Sequence, residues 1–148
     1  MEVRVAKEYL HIRDWLALAQ EIVDEGRQAY LATPLSQEAG DSIMMKVGEA
    51  AGRLARAGME PPPGVEWSDA IANRNWVIHQ YDEIDRSITW NTLSRAIPAW
   101  RPALAPRFAE AEAVLSLRRP EYGGTVPPET GGVTGLEGVR KSLVALQL

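Results

Sequence analysis

Arg74, Asn75, His79 and Tyr81 place four polar side chains of different chemistry within the short segment Arg74-Asn75-Trp76-Val77-Ile78-His79-Gln80-Tyr81. A histidine titrates near neutral pH and moves protons, whereas an arginine keeps its proton and only stabilises anionic charge. Such a pair suits phosphoryl transfer without a metal, and RNA brings its own nucleophile, the 2′-hydroxyl. One histidine cannot conveniently act as base and acid on opposite sides of one phosphorus. Two copies of the site facing each other across a two-fold dimer axis solve that problem.

On a helix turning about 100° per residue, with Arg74 set at zero, Tyr81 falls at about −20°, Ile78 at about +40°, Asn75 at about +100° and His79 at about +140°. The polar groups share one broad sector, and Trp76, at about 200°, is expected to anchor the helix in the core. Arg74 and His79 are still about 140° apart, so a single phosphate touching both needs a distorted turn or a second chain. An arginine and a histidine at this spacing also occur on ordinary solvated helix faces, and a tyrosine is often a half-buried ring with a satisfied hydroxyl.

The elements that must carry this segment are helical. Val5, Tyr9, Ile12, Leu16, Ala19 and Val23 step alternately by four and three, the stripe of an amphipathic helix, which Gly26 ends. Thr33 and Pro34 provide an N-cap and a first helical residue for a second helix, striped by Ile43, Val47, Ala50, Leu54 and Ala57. Gly58 and the run Pro61-Pro62-Pro63-Gly64 stop it. Trp67-Ser68-Asp69 opens a third helix through the 74–81 segment. Asp85 caps a fourth, with Trp90, Leu93, Ile97, Trp100 and Leu104 facing inward. The expected architecture is all-α, an up-and-down four-helix bundle over residues 1–118.

Pro98, Pro102 and Pro106 interrupt the last pattern, and kinks or breaks are expected there. Residues 119–148, with Gly123-Gly124, Pro127-Pro128 and Gly131-Gly132, are too rich in breakers for a packed core and are expected to form a flexible tail. Leu136, Val139, Leu143 and Leu146 leave room for a short amphipathic helix at 136–147.

The chain of 148 residues has no cysteine and two histidines, which removes disulfide frameworks and thiolate metal sites; no metal and no cofactor are expected. There is no secretory h-region and no apolar run long enough to span a bilayer, so a cytoplasmic protein without membrane contact is expected. A net charge of −4 argues against a general nucleic-acid coat. The charge is uneven, however. Residues 1–70 carry seven basic and twelve acidic side chains, whereas residues 71–119 carry seven basic, all arginine, and five acidic. Arginine forks grip phosphate bidentately, so an anionic ligand beside the second block is reasonable chemistry, as are plain solvated helix faces. Rossmann, P-loop and nucleophile-elbow patterns are missing.

Arg74-Asn75-x-x-x-His79-x-Tyr81 with Asp85 resembles the R-N-x-x-x-H-x-Y signature of HEPN-domain toxins of the HepT type. Val47-Gly48-Glu49-Ala50-Ala51 resembles the second-helix segment of that family, Trp67 with Ile71 its Trp and Ile lead-in, and Ile97-Pro98 its Leu-Pro near the end of the last helix. The resemblance runs over about residues 5 to 115 with these landmarks in order. It implies a metal-independent endoribonuclease acting as a homodimer on RNA, with Arg74 and His79 at a composite cleft and Asn75 assisting. It further implies a partner, a minimal nucleotidyltransferase antitoxin, that transfers AMP to Tyr81. Bulk and negative charge there would repel the RNA backbone or occupy Arg74.

Glu49 and Asp85 are expected to support the site, Glu49 by pairing with an arginine of the third helix or of the dimer mate. Gly48 is expected to admit a close helix approach. His11 matches nothing catalytic. A non-catalytic subunit that holds a nucleotide for a nucleotidyltransferase is the alternative reading, although bundles of that kind lack the full motif. The proline series and the tail depart from the family pattern.

Overall fold

The computed structural model describes residues 1–118, and the expected tail and its helix at 136–147 lie outside the described residues. The described chain is all-α, a bundle of four long helical rods. These are α1 (Val3–Asp24), α3 (Pro34–Arg56), α4 (Trp67–His79), and a composite last rod. That rod is built from α5 (Arg86–Asn91), a π-helical segment (Thr92–Ala96) and α6 (Ile97–Ser116). A six-residue helix, α2 (Arg27–Ala32), and a 3-10 turn at Tyr81–Glu83 complete it.

The stripes find their partners except at their ends, where Ile22 is buried in place of the half-buried Val23 and Ala57 is exposed just past α3. Val5, Tyr9, Ile12, Leu16 and Ala19 of α1 are buried against Ile43, Val47, Ala50 and Leu54 of α3 and Leu104, Phe108 and Ala111 of α6. α1 lies between α3 and α6, and α3 packs on both α1 and α4. Gly26 turns the chain after α1 with φ 93°, a conformation an L side chain resists. Pro34 opens α3 from an extended Thr33, whose side chain makes no capping hydrogen bond. α2, between those two signals, has no counterpart in the expected four-helix pattern.

Trp67 fixes the start of α4. Its indole N–H donates to the Met59 carbonyl at 2.8 Å, and its ring meets Trp100 edge-on at 5.8 Å and Tyr9 at 6.4 Å. Three expectations change in this region. The innermost residue of α4 is Val77, fully buried, while Trp76 is half-buried. The inward sector of the helix therefore includes Arg74, flanked by Ala70, Ile71 and Val77. The helix also stops at His79, because Gln80 leaves helical geometry (φ −107°, ψ 16°), so Tyr81 opens the 3-10 turn and is not on the helix with Arg74.

The third change concerns the prolines. α6 runs without interruption through Pro102 and Pro106, and Pro98 sits in its first turn, directly after the π-helical segment. All three prolines are exposed. The carbonyls they leave without a donor are thus on the side open to water, and the inward face of the helix keeps its bonds.

Candidate functional site

α4 is pressed onto α3 at Gly48. A methyl group at that position would stand 2.4 Å from the Arg74 Cβ and 2.6 Å from the Ala70 carbonyl oxygen, so only glycine lets the helices meet there. The stem of Arg74 is consequently laid along α3, and its Nη2 reaches the Glu49 Oε1 at 3.0 Å. Its Nε is buried without a hydrogen-bond partner among the described residues.

Glu49 is shared. Its Oε2 lies 3.3 Å from Nη1 of Arg53, one turn further along α3. Arg53 in turn grips Glu8 of α1 side-on with one edge of its guanidinium, Nε donating to Oε1 at 2.8 Å and Nη2 to Oε2 at 3.0 Å. The hydrogen bonding to Glu8 outweighs partial burial and raises the Arg53 pKa above its ordinary value. The result is a line Glu8–Arg53–Glu49–Arg74 that ties three helices together.

Asn75 and His79 are exposed on α4. His79 is the last helical residue and lines a surface concavity of about 310 Å³ with Ile78, Gln80, Asp82 and Glu83. It lies about 7.5 Å further along the helix axis than Arg74, whose guanidinium is turned towards α3. One chain therefore holds the Arg74 guanidinium against Glu49 of α3 and leaves the His79 ring at the open end of α4. Tyr81 begins the 3-10 turn after the helix; its side chain lies outside the described residues. Asp85 caps α5, accepting from the Ser87 backbone N–H at 2.9 Å, so its visible task is to start the last rod.

A second polar group went unread in the sequence. Asp41 of α3, buried, pairs with Arg86 of α5 at 2.6 Å, and the Tyr30 hydroxyl of α2 lies 2.6 Å from the Thr89 hydroxyl. Burial works against the charge of Arg86, but the hydrogen bond and charge of Asp41 prevail and its pKa rises. Burial also raises the Tyr30 pKa, partly offset by the Thr89 hydrogen bond. This cluster holds the chain where it returns from the site segment to the bundle. No group of three or more His, Asp or Glu side chains among the described residues is gathered as a metal ion would require.

The all-α bundle thus sets an arginine and a histidine on one helix beside a glycine-spaced neighbour. The family model described as Ribonuclease HepT-like matches residues 12–106, and the chain belongs to that family. The matched stretch contains the network from Arg53 onwards and the whole 74–81 segment. No solved structure matches the chain. No helix among the described residues is long and apolar enough to cross a membrane.

Proposed function

We propose that this protein is the toxin of a toxin–antitoxin pair, a metal-independent endoribonuclease whose cleft is completed by a second copy of the chain. The observation that carries the reading is the HepT-like family match across residues 12–106, which spans the Arg74–Tyr81 motif. Exposure of His79 and the engagement of Arg74 by Glu49 of α3 support a site assembled from two chains.

The chemistry follows from the groups present. Neutral His79 of one copy takes the proton of the RNA 2′-hydroxyl, whose oxygen attacks the adjacent phosphorus. Protonated His79 of the other copy gives a proton to the departing 5′-oxygen. The products are a 2′,3′-cyclic phosphate and a free 5′-hydroxyl. Arg74 stabilises the charge that builds on the non-bridging oxygens, and Asn75 hydrogen-bonds the same backbone. Neutralisation comes from a minimal nucleotidyltransferase. The Tyr81 hydroxyl attacks the α-phosphorus of ATP, pyrophosphate leaves, and the new phosphodiester sets a negative charge beside the cleft.

Cleavage of a short RNA under chelator tests the reading. Wild type should cut, leaving cyclic phosphate ends, and His79→Ala should lose about 10²- to 10⁴-fold in kcat, the range of general acid–base catalysis. Nucleotide binding without any cleavage by wild type, or a His79→Ala variant as active as wild type, would count against it. Incubation with the nucleotidyltransferase and ATP should add AMP to wild type and none to Tyr81→Phe.

A further inference from the structure

We propose that Glu49 is a positioning residue for RNA cleavage, and that Arg53 and Glu8 act through it to fix the direction in which Arg74 presents its guanidinium. The inference rests on the ribonuclease reading and extends it to residues of α1 and α3 that lie outside the motif.

An arginine on a helix ordinarily samples many rotamers, and that freedom is lost whenever it must meet a phosphate in one geometry. Here most of the restriction is in place beforehand. Gly48 brings the helices close enough to trap the Arg74 stem, and the Nε is shut away from solvent. Glu49 then draws Nη2 to 3.0 Å in an ion pair, which biases the rotation of the fork.

Glu49 alone would be a poor anchor, because its side chain is 49% exposed and has three rotatable bonds. Its second oxygen is held by Arg53, and Arg53 is held by a two-bond, side-on contact with Glu8, whose side chain is only 16% exposed. The line thus runs from the largely buried Glu8 through the more open Glu49 to a part-buried Arg74. Its two arginines and two glutamates cancel in charge, so the network adds no attraction for RNA; its contribution is orientation.

That distinction sets the experiment. A merely structural ion pair of this exposure affects stability slightly and leaves the turnover of folded enzyme alone. A positioning residue changes kcat. Replacing Glu49 by glutamine also removes a negative charge beside the phosphate site, which should tighten RNA binding.

Steady-state cleavage of a short RNA under chelator is to be measured for wild type, Glu49→Gln, Arg53→Lys, Glu8→Gln and, as reference, Arg74→Ala, each with its thermal midpoint. Glu49→Gln should lower kcat by roughly 10- to 10²-fold, the cost of a misplaced catalytic group, with KM unchanged or lower and the midpoint near that of wild type. Arg53→Lys and Glu8→Gln should lower kcat less, in that order. Wild-type kcat in Glu49→Gln, or a loss appearing wholly as raised KM, overturns the inference while the ribonuclease reading stands. Absence of cleavage by wild type overturns both. If Glu49→Gln does not fold, Glu8→Gln carries the test, since it touches neither α4 nor the site, and an unchanged kcat there overturns the relay.

Discussion

Two acidic residues of α3 each hold an arginine from later in the chain, and they do so in opposite styles. Asp41 is sealed in, its side chain 3% exposed, and it meets Arg86 beside the Tyr30–Thr89 hydrogen bond. Glu49 stands at the surface, divided between Arg53 and Arg74. The sealed pair belongs to the frame that returns the chain after the site segment. The open pair leaves one arginine addressable by a ligand. Under the proposed function, a carboxylate–arginine pair thus serves the fold or the chemistry according to how much water reaches it.

The contrast is most easily broken at its sealed end. Asp41→Ala should cost roughly 3 kcal/mol, the low end for breaking a buried pair because Arg86 keeps some solvent contact, and denaturant unfolding will measure it. A loss under 1 kcal/mol would mean the two pairs are energetically alike. Gly48→Ala should come next, at about 2 kcal/mol, because the added methyl meets backbone and must part α3 from α4. It should also lower RNA cleavage, by displacing Arg74.

Tyr30→Phe should cost about 1 kcal/mol, the worth of its hydrogen bond to Thr89. Tyr9→Phe sharpens the point, since the Tyr9 hydroxyl is buried with no partner among the described residues and its removal should be neutral or stabilising. Burial raises the pKa of both tyrosines above the ordinary 10.0. A raised folded-state pKa means the folded chain holds its proton longer than the unfolded one. That stability is therefore complete below pH 10 and is lost as pH climbs past it. Unfolding followed from pH 9 to 11 should show the decline, and Tyr30→Phe should flatten it. The smallest expected effect is on the open side: Glu49→Gln should shift stability by under about 1 kcal/mol.

The two regions also differ in how far the sequence announces them. The stripes of α1 and α3 were legible because a helix buried on one side must repeat its apolar residues near every 3.6 positions. Glu49 and Arg53, four apart, could be seen as neighbours on one face. That Arg53 would reach Glu8 depends on how α1 crosses α3, which no local pattern encodes. Asp41, Arg86, Tyr30 and Thr89 come from three helices, and nothing in their spacing joins them.

The orientation of α4 is hidden for a related reason. Trp76 is the bulkiest residue of its segment and looks like the anchor, yet the inward sector holds Val77 and the stem of Arg74. A polar residue in the middle of a packed face blurs the periodicity that reveals the face. The arginine that most interests the chemist is the one that hides the orientation of its own helix.

Pro98, Pro102 and Pro106 set a condition on how the molecule assembles. A sequence with prolines at such intervals has little tendency to be helical alone, each interior one costing about 3 kcal/mol against alanine. α6 nevertheless runs unbroken from Ile97 to Ser116, with Leu104, Phe108 and Ala111 buried where α1 lies beneath it. The last helix is therefore a helix on condition that the first is present. The two ends of the described chain form one cooperative unit, closed by contacts of long sequence separation. Removing α1 should unfold α6 with it, and the site helix would lose the frame that orients it.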